Sequence, residues 1–266
     1  MTTITAEKRW TERLERWVTP RDVFRPDGFA VDVLRDRDAK AFVTREHYSG
    51  TYPAARCAIG LFLEKSLVGV AVFSVPANAR VLPHYFGEDV NAAELGRFVC
   101  APCVGYNGES WFLARAFRAL REVKQIVGVL SYADPLERTT ADGEIAKRAH
   151  WGTIYQASNA RYVGRAEPRT LLVTADGRVI SPRALSKIRN DERGARYAAA
   201  QLEAFGAPAR AFGEEPAAWV TRVSSGFRKI RHPGNLAYVF GLTPAIRTSI
   251  DVQWGAGQPY PKAKAA

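Results

Sequence analysis

The 266-residue chain is 47% hydrophobic and 24% charged, ordinary globular usage that excludes wholesale disorder and suits one or two domains burying roughly 70% of their unfolded surface. No stretch approaches the ~18 uncharged apolar residues of a membrane span, and residues 1–20 interleave charges with Trp10, Leu14 and Trp17 where a secretory signal would have an apolar run. The expectation is a cytoplasmic protein without a membrane partner, its three cysteines (Cys57, Cys100, Cys103) free thiols. The net charge of +11 is uneven: 21 cations face 19 acids up to Ala160, and 17 face 8 beyond it, so the C-terminal part holds +9. Arg dominates these cations, and its planar fork suits phosphates and base edges, which makes nucleic acid the expected partner.

Residues 7–18 place Trp10, Leu14 and Trp17 at i, i+4 and i+7, which predicts a short amphipathic helix. Residues 29–34 alternate like a strand, and Asp36 opens a helix running to about His47. Residues 56–64 and 67–75 are β-rich and separated by Lys65-Ser66, hairpin spacing. A strand over 93–101 stops at Pro102. After the Gly105-Tyr106-Asn107-Gly108 turn, Glu109 or Ser110 begins a helix to Lys124 that buries Phe112, Ala116, Leu120 and Val123. Residues 126–132 read as a buried strand, 142–150 as a helix and 169–174 as a strand; 183–189 and 193–205 read as helices of a basic region. Residues 236–242 give the last strand, and 244–266 a tail with little periodicity. The economical fold is α/β: a central mixed sheet flanked by helices, with a basic helical insertion before the last strand. Its predicted parts are an N-terminal cover (1–28), a core (29–175), the insertion (176–234), and the closing strand with tail (235–266).

Several residues bear on chemistry. Asn107, Gly108, Glu109 and Ser110 lie where a strand feeds a helix N-terminus, a place for an anion or for a plain N-cap. Cys100 and Cys103 lack the second ligand pair that a zinc site needs. His47 and Tyr48 at a helix end serve either as acid, base or metal ligands or as a capping and packing pair. Arg97, on an otherwise apolar strand, requires a carboxylate such as Glu94 or Asp134, or a site to face. Polar and aromatic groups are densest in Ser131-Tyr132-Ala133-Asp134-Pro135 and from His150 to Asn159, at the carboxyl end of a buried strand, where open α/β folds place ligands.

On these residues the sequence resembles the phage Mom family of DNA adenine-modification proteins, whose fold is a divergent GNAT-type acyltransferase. The segments concerned are His47-Tyr48-Ser49-Gly50, Glu94-Leu95-Gly96-Arg97-Phe98, Asn107 to Ser110, Ser131 to Asp134 and the run from His150 to Gly164. The resemblance implies transfer of a carbamoyl- or acyl-type group to adenine N6 in double-stranded DNA in the cytoplasm of a bacterial host, blocking restriction. It makes Tyr48, Arg97, Ser131, Tyr132, Asp134 and Tyr155 candidates for catalysis, and His47, Tyr48 and Asp134 candidate ligands of iron. Asn107, Gly108, Glu109 and Ser110 would hold the donor. Their Gly-Tyr-Asn-Gly-Glu-Ser loop lacks the Arg- and Gly-rich pattern of acyl-CoA sites, so acetyl-CoA and aminoacyl-tRNA both stand as donors. Extruding adenine calls for stacking partners, among which Tyr48, Tyr132, Trp151 and Tyr155 are available, and a proton acceptor such as Asp134. Arg183, Lys187, Arg189, Arg193 and Arg196 of the insertion would hold DNA phosphates. The alternative is a conventional N-acetyltransferase using acetyl-CoA on a small-molecule or protein amine.

Overall fold

The computed structural model describes residues 7–11, 14–18, 24–255 and 257–262. In chain order the elements are β1 (Glu7–Thr11), β2 (Leu14–Val18), β3 (Phe29–Leu34), α1 (Asp36–Glu46), β4 (Ala55–Leu63), β5 (Ser66–Ser74), α2 (Val81–Phe86), β6 (Ala92–Cys100), α3 (Gly108–Lys124) and β7 (Gly128–Ala133). There follow β8 (Arg138–Thr139), β9 (Ile145–Lys147), α4 (Thr153–Ala157), β10 (Arg161–Arg165), β11 (Arg169–Val173), α5 (Pro182–Arg189), α6 (Ala195–Ala204), α7 (Pro216–Ser225), β12 (Arg228–His232), β13 (Leu236–Gly241) and α8 (Pro244–Trp254). They divide into two compact units: Met1–Pro135 with His150–Ala166 and Asn235–Ala266, and Leu136–Ala149 with Glu167–Gly234.

The first unit is built on a seven-stranded sheet in the order β10-β13-β7-β6-β5-β4-β3. Every neighbouring pair is antiparallel except β6 and β7, so the sheet is mixed, as expected. Strand alternation sends side chains to two faces. Ile59, Leu61, Phe73, Val129, Tyr238 and Phe240 meet Phe112, Leu113, Ala116 and Leu120 of α3, along with Tyr155 of α4. On the opposite face, Ala58, Val70, Val72 and Val99 pack against Ala39, Phe42 and Val43 of α1. Also on that face, Leu130, Ala237 and Val239 join Tyr85 and Phe86 of α2 and Ile250 of α8. Each large apolar side chain buried in these layers contributes about 1.5–3 kcal/mol.

The second unit has its own core, in which Ile180, Leu185 and Ile188, Ala198 and Leu202 of α6, and Trp219, Val220 and Val223 of α7 pack together. Trp219 is 1% exposed and its indole N–H donates to the Pro208 carbonyl at 2.9 Å. Beside these helices β11 pairs with β12, and β8 with β9. α5 starts as its sequence dictates, with Pro182 in the first turn and the Ser181 hydroxyl accepting from Ala184 N–H.

Several sequence expectations are corrected. Where a helix is expected, Glu7–Thr11 and Leu14–Val18 form an antiparallel pair of strands, in keeping with the strand preference of aromatic and β-branched residues such as Trp10, Thr11, Trp17 and Val18. Residues 142–150 are not helical either: Gly143 at φ +89° turns the chain so that β9 returns on β8. The tail contains α8, started by Thr243 as N-cap and Pro244 in the first turn, a signature that its weak apolar stripe conceals. Val123, expected in the core, is 48% exposed in the last turn of α3. The second unit begins at Glu167 rather than 176 and also takes in Leu136–Ala149, because β11 pairs with β12 of the expected insertion, not with the central sheet. No described helix is long and apolar enough to cross a membrane.

Trp219→Ala is expected to lower stability by about 3–5 kcal/mol, through the cavity it leaves and the orphaned Pro208 carbonyl. Urea unfolding of the intact chain measures the loss.

Candidate active site

β6 and β7 run together for only three residue pairs, Ala92↔Gly128, Ala93↔Val129 and Glu94↔Leu130. Beyond these, β6 follows β5 as far as Gly69↔Cys100, and β7 follows β13 as far as Leu236↔Ala133. Two neighbouring strands therefore part inside the sheet. Ser131 Oγ stands at the opening and donates to the Leu95 carbonyl at 3.5 Å. Just beyond, the register with β5 steps from Phe73↔Leu95 to Val72↔Arg97, leaving Gly96 as a bulge. A Cβ there would collide with Ser74 Oγ, so only glycine fits, and the bulge re-aims Arg97.

Arg97 meets neither of the salt bridges its sequence context suggests. It donates from Nε to the Thr51 carbonyl (3.0 Å), from Nη2 to Thr51 Oγ1 (2.7 Å) and from Nη1 to the Gly96 carbonyl. The loop that supplies Thr51 hangs from the end of α1. There His47 Nδ1 accepts from Ser49 N–H at 3.2 Å and lies 2.9 Å from Ser49 Oγ, which in turn accepts from Thr51 Oγ1. Burial, and the charges of Arg97 and His150, hold the His47 imidazole well below its ordinary pKa. It is a neutral ring whose Nδ1 is an acceptor, which puts its proton on Nε2.

Around Arg97 the structure gathers most of the expected catalytic residues. Its guanidinium lies within electrostatic reach of Tyr48, Glu94 and Tyr155. Tyr48 packs against His47 with ring centroids 4.3 Å apart and the rings tilted by 31°. Tyr155 is 6% exposed, and its hydroxyl shares a hydrogen bond with Ser131; burial pushes it well above the ordinary phenol range. α4, which supplies Tyr155, opens at Gly152 (φ +77°), where any Cβ would strike the Tyr238 ring. His150 Nδ1 accepts from Gly152 N–H at 3.0 Å, and the His150 ring lies 5.4 Å from that of Tyr155. Asp134 follows β7, its carbonyl accepting from His150 N–H at 2.8 Å. Tyr132 is not brought in: alternation along β7 puts it on the opposite face from Ser131, packed with Leu130 and with its hydroxyl 3.5 Å from that of Tyr85. Glu94, which the sequence offered only as a partner for Arg97, joins the group at the point of parting.

Of the residues proposed for iron, His47 is held with Nδ1 as an acceptor, a state in which Nε2 carries the proton. Among the described residues no three of His, Cys, Asp and Glu group so as to hold an ion.

A cavity of about 650 Å³ lies beside the start of α3, lined by Phe24, Tyr106, Trp111 and Phe117 among aromatics, and by Asn107, Ser110, Ser158 and Asn159 among polar residues. Asn107 holds the left-handed conformation at φ +68°, with its carbonyl accepting from Ser110 Oγ at 2.9 Å. Gly108 is buried, and a Cβ there would sit 2.5 Å from Val104 and 2.7 Å from Phe24. Two of the four expected donor residues thus face the cavity, and Gly108 shapes its floor. The described lining residues include no Arg or Lys.

In the second unit, Arg183 is bound by Glu192, with Nη1 at 2.8 Å from Oε1. Lys187 is partly buried near the same carboxylate. Arg189, Arg193 and Arg196 are exposed, and none of them forms an ion pair with a described residue. Of the five cations expected on DNA, these three have their charge uncompensated.

Arg97→Met strands the Thr51 and Gly96 acceptors and should lower stability by about 2–3 kcal/mol in urea unfolding, with Arg97→Lys restoring only part. Because the folded His47 pKa is depressed, the unfolded chain takes up the proton first, so stability should fall as pH drops through roughly 6.5. His47→Gln should flatten that dependence in melts recorded across the range.

Among curated proteins nothing matches the sequence. Solved structures overlap it loosely. A tandem GNAT protein from the clavulanic acid biosynthesis pathway, determined without AcCoA, gives 10% identity over 81% of this chain and 99% of that one, with a TM-score of 0.41. A putative acetyltransferase from Pyrococcus horikoshii gives 11% identity over 91% and 98%, with a TM-score of 0.36. A GCN5-related N-acetyltransferase from Kribbella flavida gives 12% over 88% and 62%, with a TM-score of 0.33. A profile described as the Mom protein family matches residues 28–262, from the start of the central sheet through α8, and the chain belongs to that family.

Proposed function

We propose that this protein transfers an acyl-type group from an activated donor to the exocyclic N6 of adenine in DNA. The observation that carries the reading is the parting of β6 and β7 beside Arg97, Ser131 and Tyr155 in a chain of the Mom family. An opening inside a sheet offers unpaired backbone groups to an extended donor arm, while buried hydroxyls beside it can orient a carbonyl. The cavity by α3 supports a donor whose nearer part is uncharged, since its described lining is aromatic and amide-bearing. Acetyl-CoA and aminoacyl-tRNA both present such a part.

Adenine in a duplex uses N6 for base pairing, and its amine is a weak nucleophile, so the base has to leave the stack before it can react. Tyr48 and Trp151 would flank an extruded ring, one from the end of α1 and the other from the turn before α4. Arg189, Arg193 and Arg196 would track phosphates. A group on N6 adds bulk at the major-groove edge where restriction enzymes read adenine, which accounts for a protective effect.

Mass spectrometry of nucleosides from the DNA of bacteria expressing the chain should show a heavier deoxyadenosine that is absent with Arg97→Ala. Unmodified DNA from a folded protein that binds acetyl-CoA would point instead to a conventional N-acetyltransferase. Replacing Arg189, Arg193 and Arg196 together should reduce the slope of log affinity against log salt by up to about 0.9 for each phosphate no longer neutralised, equally for all duplex sequences. Weakening confined to particular sequences would contradict a phosphate role.

A further inference from the structure

We propose that Phe212 is a wedge that the second unit inserts between adjacent base pairs of bound duplex DNA, a role that rests on the DNA reading above. Phe212 stands on the loop between α6 and α7 with its side chain wholly in water, 108% exposed. Scattered apolar side chains are ordinary on a protein surface, so exposure alone assigns this one nothing. What sets it apart is its mount. Glu214 Oε2 accepts from Ala211 N–H at 3.0 Å, and the Ala211 carbonyl accepts from Glu214 N–H at 3.1 Å. Arg222 of α7 grips both Glu214 carboxylate oxygens, each at 2.8 Å, and reaches the Ala209 carbonyl at 3.2 Å. The Trp219 indole holds the Pro208 carbonyl. The chain is thus fastened at Pro208, Ala209, Ala211 and Glu214, on both sides of the ring. An apolar ring held out on a tied loop has little conformational freedom left to lose when it enters a partner, which favours insertion.

Charge says what the ring meets. The second unit holds fifteen Lys and Arg against ten Asp and Glu. Arg210, two residues before Phe212, is exposed and forms no ion pair with a described residue; Glu214, within its electrostatic reach, is already held by Arg222. Tyr197, the other aromatic of this unit with a largely exposed side chain (64%), likewise follows an exposed arginine, Arg196. Arginine beside an exposed ring suits nucleic acid, the cation taking a phosphate and the ring a base face. A second copy of the unit would bring the same excess of positive charge and be repelled. Extruding adenine breaks its stacking on both neighbours, and a ring that occupies an opened step replaces part of what is lost. Phe has no polar group to read a base edge, so the wedge acts without regard to sequence.

The test uses the full-length chain and two duplexes of equal length, one fully paired and one carrying a single unpaired base, where a step is already partly open. Wild type should bind the second about tenfold more tightly. Phe212→Ala should weaken binding to the paired duplex about fivefold or more and to the opened one further, so that the preference disappears; Phe212→Trp should retain it. For Phe212→Ala the slope of log affinity against log salt should equal that of wild type, since no phosphate contact is lost. Its melting point should also be unchanged, since the ring is fully exposed. Phe212→Ala that keeps the preference or changes the salt slope, or wild type that shows no preference, overturns the wedge. So does a melting point several degrees lower, which would make the ring part of the fold, or a wild-type dimer that Phe212→Ala dissociates, which would seat the ring on a second copy. Wild type that binds neither duplex overturns the DNA reading and the wedge together. A Phe212-dependent preference without modified deoxyadenosine in expressing bacteria refutes the acyl-transfer reading alone and leaves the wedge standing.

Discussion

Three residue pairs of parallel ladder, ending at Glu94 and Leu130, set the layout of the first unit. A strand in the middle of a sheet has two edges to satisfy, and every buried N–H or C=O left unpaired is costly. β6 and β7 solve this asymmetrically, each keeping its outer neighbour and abandoning the other. What fills the opening then has to be polar but preorganised: the Ser131 hydroxyl bridges to Leu95, and Tyr155 is held by α4 at the level of Ser131. The Gly96 bulge places the Arg97 guanidinium at the rim, clamped by the loop after α1. The site therefore draws on α1, β6, β7 and α4, which lie on both faces of the sheet and are held by different core clusters.

Much of this was legible in the residues. The β4–β5 hairpin, the α3 stripe of Phe112, Ala116 and Leu120, and the oddity of an Arg on an apolar strand follow from periodicity and from the cost of burying charge. The gathering of Tyr48, Arg97, Ser131 and Tyr155 is reached through resemblance, since no spacing in the sequence joins residues from four elements. Tyr132 stands apart from Ser131 because adjacency along a strand means opposite faces, and only knowing that residues 128–133 are strand in a two-faced sheet reveals it. Glu94 was read as a counter-ion because the bulge two residues later, which turns Arg97 to Thr51, depends on the approach of Ser74 from β5. β1 and β2 illustrate the ambiguity of short segments, where three aromatic or aliphatic residues satisfy a helical spacing by chance.

The excess of positive charge after Ala160 also divides differently in space than along the chain. Part of it belongs to the first unit, where Arg161 is tied to Asp251 and to the Gly255 carbonyl. In the second unit Arg222 is matched by Glu214, as Arg183 is by Glu192. Neutralised pairs at the surface contribute little to stability, but they subtract from the field that a polyanion would feel. The usable basicity is thus narrower than the net charge suggests, and within the second unit it includes Arg189, Arg193 and Arg196 around α5 and α6 and Arg169, Lys229 and Arg231 on β11 and β12.

The chain passes from one unit to the other four times, after residues 135, 149, 166 and 234. The hairpin of β8 and β9 reaches the remainder of its unit through Arg228, whose guanidinium donates to the carbonyls of Thr139 and Thr140, and through Ala141, whose N–H is taken by Ala175. Excising residues 167–234 would abandon that hairpin without those partners, while α4 and Tyr155 sit between the two stretches that would have to be removed. The second unit is consequently not a cassette that a single insertion could have delivered or a single deletion could remove. One nick in its connections would leave it tethered by the rest, so limited proteolysis would cut the polypeptide without releasing the fragment.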